Sequence, residues 1–328
     1  MKLPAPCGPI STLMAGLITG HDHEPPVLNL DDQPLLDDRD AQLALWSAYE
    51  LHYRGFDDVD ADREWDPGVL GLRAQIERRF EAELRSATRT MTEELDSGEP
   101  VGDQLLRLVQ QTDGPALSAY LRRAATADQM RDFLRERSVQ QLKESDPQSF
   151  LLPRLAGAAK VALAEVQYDE YGAGRAERLH QTMYAETLAA VGLDPAYGAY
   201  VDEASAISLA SANVMSMFAL HARLRGAGLG HFAAFEASSA LPSRLIAAGM
   251  ERLGMSAIAA AYFLEHVEAD SVHEQVAARE VCGSFVAGHP SLRDDVVFGA
   301  ASALHLDALS AAELLARWTS EAGQEQAS

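Results

Sequence analysis

Three residues that commonly bind metal ions, His266, Asp270 and His273, are spaced four and then three positions apart in a helix-forming segment. Because an α-helix turns about 100° per residue, their side chains would fall within a wedge of roughly 60°. Glu268 would point to nearly the opposite side. Two imidazoles and a carboxylate on one face of a largely apolar helix are costly to bury unless something satisfies them. The spacing indicates a metal site, with ordinary packing or surface positions as the alternative.

Three more carboxylate or imidazole residues stand among helical, largely apolar neighbours: Glu170, His180 and Glu236. With the first three they make three carboxylates and three imidazoles, an inventory that matches what helix bundles use to bind two irons. Mixed nitrogen and oxygen ligands favour iron, manganese or zinc over calcium or magnesium. The absence of nearby cysteine argues against a structural zinc site.

One geometric objection concerns Glu170 and His180, because their separation corresponds to about 15 Å along an unbroken helix. Metal ions in a two-metal site lie only about 4 Å apart. Gly172 and Gly174 lie between the two residues and predict a break that folds His180 back towards Glu170, with a new helix near Arg175. Glu177 is a rival for Glu170, because Glu177 and His180 have the i, i+3 spacing of ferritin-like bundles. Its charged neighbours indicate a solvated position, and we favour Glu170.

The length, composition and net charge of the chain exclude some classes of function. The chain has 328 residues, 47% of them hydrophobic, and a formal net charge of −22. Such acidity argues against nucleic acid and anionic membrane surfaces as partners. Two distant cysteines, Cys7 and Cys282, exclude a disulfide framework, and no apolar run reaches membrane-spanning length. We therefore expect a cytoplasmic protein; a homodimer remains an open alternative to a monomer.

Hydrophobic periodicity predicts an all-α chain, a compact bundle of roughly ten helices, since period-2 runs with hairpin turns are missing. The domain organisation predicted is an irregular arm over 1–38 with one short helix around Ser11–Leu17, a single helical domain over 39–319, and a polar tail over 320–328. Other predicted features are a helix from Asp146 through Val166, a long helix over Ala196–Arg225, a hinge at Gly226–Gly230, and two final helices, Ser291–Leu304 and Ala308–Arg317.

Three segments together resemble the haem-oxygenase-like di-iron oxidases and oxygenases, often catalogued as iron-containing redox enzymes. They are Asp-Glu-Tyr-Gly-Ala-Gly-Arg-Ala-Glu-Arg-Leu-His, which ends at His180, Phe-Glu-Ala-Ser-Ser-Ala-Leu-Pro, which contains Glu236, and the His-x3-Asp-x2-His motif. The resemblance spans about residues 40–310 and implies a haem-oxygenase-like fold. The six ligands that it implies are all present: Glu170, His180, Glu236, His266, Asp270 and His273.

The resemblance also implies two iron ions, O₂ as co-substrate, and oxidation of a small organic molecule by a biosynthetic enzyme. An amino acid or amine is the expected substrate, through N-oxygenation or oxidative cleavage. Tyr171, His231, Tyr262 and Glu177 are candidates for lining the pocket or supporting the ligands, with plain packing or solvation as the alternative. The competing function is a haem- or small-ligand-binding protein on the same fold, for which His52 is the one faint match to a proximal haem ligand.

Overall fold

The computed structural model describes residues 1–21, 25–30, 33–93, 98–112 and 117–325, without the side chains of 268–271 and 321–325. Over these ranges the chain forms helices and turns and contains no strand, which confirms the all-α prediction. The α-helices are α1 (Pro9–Thr19), α2 (Arg39–Glu50), α3 (Pro67–Ala87), α4 (Arg89–Glu93), α5 (Val101–Gln111), α6 (Leu117–Arg123), α7 (Ala127–Gln141), α8 (Asp146–Ser149), α9 (Gly157–Glu170), α10 (His180–Ala190), α11 (Ala206–Leu220), α12 (Arg225–Arg252), α13 (Ala257–Gln275), α14 (Ser284–Gly288) and α15 (Arg293–Glu325).

The long helix α12 packs along both α13 and α15, and α13 also packs against α10. Helices α1, α2, α3 and α11 enclose a second part of the core. The helix expected in the N-terminal arm is α1, and it buries Met14, Leu17 and Ile18 in that part of the core. None of the described helices has the length and apolar character needed to cross a membrane.

The predicted hinge at Gly226–Gly230 is wrong, because these glycines lie inside α12. A Cβ atom on Gly230 would collide with the carbonyl oxygen of Val296, and one on Gly299 would collide with that of Ala227. Both contacts join α12 to α15. The glycines therefore allow two helix backbones to approach closely rather than allowing the chain to bend.

Three predicted helix boundaries are also wrong. The helix expected from Asp146 through Val166 is divided into α8 and α9. A 3₁₀ turn at Leu152–Arg154 lies between them, and α9 begins at Gly157, whose backbone is left-handed. The helix expected from Ala196 begins only at Ala206, where the Ser205 side chain caps it by accepting a hydrogen bond from the Ser208 backbone. The two final helices are one continuous helix, α15.

Candidate metal centre

A break in the chain brings the first two candidate ligands together. Helix α9 ends at Glu170, the backbone at Gly172 and Gly174 is left-handed (φ +75° and +82°), and α10 begins at His180. The predicted break is confirmed, although the new helix begins at His180 rather than near Arg175. A Cβ atom on Gly172 would lie 2.7 Å from backbone atoms of the returning chain, which leaves no room for a side chain.

Two overlapping groups of buried side chains form the centre. In one, ligand atoms of Glu144, Glu170, His180 and His266 lie within 4.8 Å of one another, and in the other those of Glu170, Glu236 and His273 do so. Glu170 belongs to both groups. Carboxylate oxygens and imidazole nitrogens at this spacing are a set of ligands that suits iron.

The structure places the residues singled out in the sequence as follows. Five of the six expected ligands lie in the two groups: Glu170, His180, Glu236, His266 and His273. The side chains of Asp270 and Glu268 lie outside the described residues. The rival Glu177 is exposed, in keeping with its charged neighbours.

Glu144 is a candidate ligand that the sequence analysis does not name. It stands in the polar segment Lys-Glu-Ser-Asp-Pro just after α7, which has the composition of a solvated loop, yet its side chain is only 4% exposed. The ligand pattern of two-iron helix bundles, in which each of several helices contributes a carboxylate, could have pointed to Glu144. A carboxylate near the end of α7 fits that rule.

The backbone at Glu144 is held by a buried polar network. Lys143 Nζ lies 2.9 Å from Glu50 Oε2, and both side chains are almost fully buried. The Tyr197 hydroxyl donates a hydrogen bond to the same carboxylate, and the Gln181 side chain donates one to the Glu144 carbonyl oxygen. A buried ion pair with such satisfied partners fixes the chain on either side of Glu144.

Tyr262 and His266 lie one turn apart on α13 and support the first group. His266 Nδ1 donates to the Tyr262 carbonyl oxygen at 2.8 Å, so that nitrogen carries the proton and Nε2 faces Glu144 Oε1 at 3.6 Å. The Tyr262 hydroxyl donates to Glu144 Oε2 at 2.7 Å and accepts from the Gln141 amide. Burial, together with the Glu144 charge, raises the pKa of Tyr262 well above its ordinary value, so this hydroxyl keeps its proton.

Asp169 plays the corresponding part for His273. The Asp169 carboxylate accepts a hydrogen bond from His273 Nε2 at 3.3 Å, while Nδ1 lies 3.4 Å from Glu236 Oε2 and 3.7 Å from Glu170 Oε1. A carboxylate that holds one imidazole nitrogen protonated leaves the other nitrogen as a metal ligand.

A π-helical segment, Val276–Gly283, follows α13 directly, as is frequent beside functional sites.

His180 gives the clearest test of whether these residues suit a metal ion. Its Nδ1 lies 2.8 Å from Glu170 Oε2 but makes no hydrogen bond within the described part of the chain. Ser145 has a left-handed backbone (φ +71°) and donates its hydroxyl to Glu170 Oε2 at 3.0 Å. Strained backbone of this kind concentrates at functional sites. His180 Nδ1 and Glu170 Oε2 are thus two buried atoms that face each other without a hydrogen bond between them, as expected of ligands that would share one metal ion.

The pKa values of the cluster agree with its assignment as a site for a positively charged ion. Burial by itself raises the pKa of Glu170, but the charges of the neighbouring imidazoles outweigh it and lower the pKa to about 2. Burial opposes protonation of His273, but the Glu236 and Glu170 carboxylates raise its pKa to about 9. The pKa of His180 is raised, since Glu170 outweighs the effect of burial. The carboxylates thus favour positive charge at their centre.

Two openings reach the cluster and share no lining residue. One is a largely apolar cavity between α7, α12, α13 and α15 whose wall includes His266, Tyr262 and His231. The other is a polar opening lined by His180, His273 and the residues around Gly172. The candidate ligands therefore face two separate spaces, and the one beside His266 is the more apolar of the two.

The four supporting candidates behave differently. Tyr262 contacts a candidate ligand and lines the cavity, whereas the Tyr171 hydroxyl bonds to Ser149 and Asp146 instead. His231 lines the cavity, and burial lowers its pKa to about 4, so its ring is neutral. Glu177, the fourth, lies away from both groups.

A family model described as iron-containing redox enzyme matches residues 131–308 of this chain, which is more than half its length. The match includes every residue of the two buried groups. No curated protein matches the chain. An all-α fold with a buried carboxylate and imidazole cluster is what a helical iron-binding oxidoreductase requires. The chain belongs to the family of iron-containing redox enzymes, and its fold is the expected haem-oxygenase-like one.

Proposed function

We propose that this chain is a non-haem di-iron oxidoreductase that uses O₂ to oxidise a small organic molecule, an amino acid or amine, by N-oxygenation or oxidative cleavage. The observation that supports this most is the position of Glu170 in two overlapping groups of buried ligands. One group offers two carboxylates and two imidazoles, and the other offers two carboxylates and one imidazole. Iron bound by such ligands supplies the ability to activate O₂.

The surrounding residues would hold protons where the ligands need them. Tyr262 keeps a proton on its hydroxyl for Glu144, and the Tyr262 carbonyl keeps one on His266 Nδ1. Asp169 keeps one on His273 Nε2. With iron bound, the other ring nitrogens of His266 and His273 would be the ones that bind the metal. The apolar cavity beside His266 would exclude bulk water and hold the substrate.

The haem-binding alternative receives less support from His52. Its Nδ1 lies 2.9 Å from Glu64 Oε1, and its Nε2 lies 2.6 Å from Arg73 Nη1. Both ring nitrogens are thus engaged by protein groups. Cys282, whose thiol would be the alternative nucleophile, is buried and donates to the Leu229 carbonyl oxygen, and burial raises the pKa of this thiol. Neither residue is placed to carry a competing chemistry.

Anaerobic loading with Fe(II) followed by metal analysis tests the proposal. We expect about two irons per chain and O₂ consumption that accelerates when an accepted amino acid or amine is added. The Glu177→Gln variant is the control, because Glu177 is exposed and lies outside both groups. Tight stoichiometric haem binding, or no uptake of iron, would contradict the proposal.

A further inference from the structure

The cavity beside His266 contains an ion pair that the metal centre does not use. Arg137 of α7 and Asp307 of α15 both line the cavity and contact each other. Their side chains differ in exposure, at 21% for Arg137 and 59% for Asp307. The guanidinium carbon lies 5.9 Å from the centre of the Phe133 ring. Arg137 is therefore the inner member of the pair, and Asp307 lies at the mouth of the cavity.

The rest of the cavity wall is neutral or belongs to the metal centre. Apart from the imidazoles, Arg137 and Asp307 are the only ionisable groups with a charge at neutral pH among the described lining residues. Phe235, Ile246 and Phe263 supply apolar surface to the same cavity. A partly buried guanidinium beside aromatic rings needs an anionic partner, and Asp307 supplies it when nothing else is bound.

We propose that this cavity binds the zwitterionic head group of an α-amino acid, with the carboxylate on Arg137 and the ammonium group on Asp307. A guanidinium matches the two oxygens of a carboxylate. An acid without an amine would separate Arg137 from Asp307 and give Asp307 nothing in return. An amine without a carboxylate would draw Asp307 away and leave Arg137 unpaired. A head group with both charges replaces one ion pair with two.

The exposures also orient the substrate. Asp307 lies at the mouth of the cavity, whereas His266 is buried at 4% exposure. A head group held at the mouth directs the side chain inward, past the apolar residues towards His266. This inference rests on the proposed function for what happens next. Within the proposed function, this orientation favours oxidation of the substrate's side chain over oxidation of its α-nitrogen.

Calorimetric titration of the metal-free protein tests the inference without depending on iron or O₂. The probes are the twenty proteinogenic amino acids and, for each that binds, its decarboxylated amine and its deaminated acid. For L-leucine these are 3-methylbutylamine and 4-methylpentanoate, and for L-phenylalanine they are 2-phenylethylamine and 3-phenylpropanoate. We expect at least one amino acid to bind, and each of its analogues to bind roughly 10-fold or more weakly.

Variants separate the two halves of the head group. Asp307→Asn should weaken amino-acid binding about 10-fold while strengthening binding of the acid analogue, which no longer has to displace a carboxylate from Arg137, and Arg137→Gln should weaken both. Arg135→Gln is the matched control, because Arg135 lies on the same helix, pairs with Asp132 and does not line the cavity. Should Arg137→Gln fail to fold, the exposed Asp307 still provides the test.

Three outcomes would overturn the inference: no amino acid binds, an analogue binds as tightly as its parent, or Asp307→Asn binds like the wild type. Failure of the proposed function looks different. In that case the metal-free protein would bind amino acids normally while the Fe(II)-treated protein takes up no iron or consumes no O₂.

Discussion

Replacing Tyr262 with Phe tests whether its hydrogen bond to Glu144 supports iron binding at the metal centre. The hydroxyl donates to Glu144 Oε2 at 2.7 Å and accepts from Gln141 Nε2 at 2.8 Å. All three residues are buried. The substitution removes one oxygen atom and keeps the ring, so packing against Tyr184 and His266 is retained.

The structure sets the size of the effect. A hydrogen bond to a charged, buried carboxylate contributes about 1.5–3 kcal/mol, and leaving the Gln141 amide without its hydroxyl partner adds about 1 kcal/mol. We therefore expect the free energy of unfolding of the metal-free protein to fall by about 2.5–4 kcal/mol. For a chain of 328 residues that corresponds to a decrease in Tm of roughly 4–6 °C. Affinity for Fe(II) should fall about 10–100-fold.

Chemical and thermal unfolding of the metal-free protein measure the first effect, and anaerobic Fe(II) titration measures the second. Tyr120→Phe is the control, because the Tyr120 hydroxyl donates to a neutral amide, Gln129, at a half-buried position. It should lose less than about 1.5 kcal/mol and bind Fe(II) normally. If Tyr262→Phe matches Tyr120→Phe in both assays, the link between Tyr262 and the metal centre is refuted.

Three further predictions follow from single features of the site. The double variant Gly172→Ala, Gly174→Ala should lose iron binding and keep its helical circular dichroism. The returning chain leaves no room for a Cβ atom on Gly172, and both glycines have a left-handed backbone that strains Ala. Normal iron uptake would contradict this. Asp169→Asn should weaken Fe(II) binding about 10-fold by releasing His273, and unchanged affinity would show that the hydrogen bond does not matter. His231 has its pKa lowered to about 4 by burial, so the unfolded state binds more protons between that value and about pH 6.5. The wild type should lose about 3 kcal/mol of stability from this residue as pH falls through that window, and His231→Leu should lose correspondingly less in acid denaturation.

Local geometry made part of the site predictable from sequence. The break between Glu170 and His180 follows from two glycines and from the distance that a continuous helix would impose, and the structure contains it. The shared face of His266 and His273 follows from helical periodicity alone. These inferences succeed because each depends only on residues close together in the chain.

Features that depend on distant partners were not predictable in the same way. Gly230 resembles a hinge in sequence, but its role is set by the backbone of α15 packed against it. Glu144 has the neighbours of a solvated loop, yet tertiary packing buries it beside Tyr262. The continuous α15 has no sequence signal at its centre that distinguishes one helix from two. For Gly230 and for Glu144, the deciding atoms belong to another helix.

Iron stoichiometry in three variants tests the shared role of Glu170 most directly. Glu144→Ala removes a ligand from one group, Glu236→Ala removes one from the other, and Glu170→Ala removes one from both. Anaerobic Fe(II) titration with Mössbauer spectroscopy should give about two irons for the wild type, about one for each of the first two variants, and less than about one for Glu170→Ala. A wild type that binds a single iron, or a Glu170→Ala variant that retains two, would contradict the di-iron account.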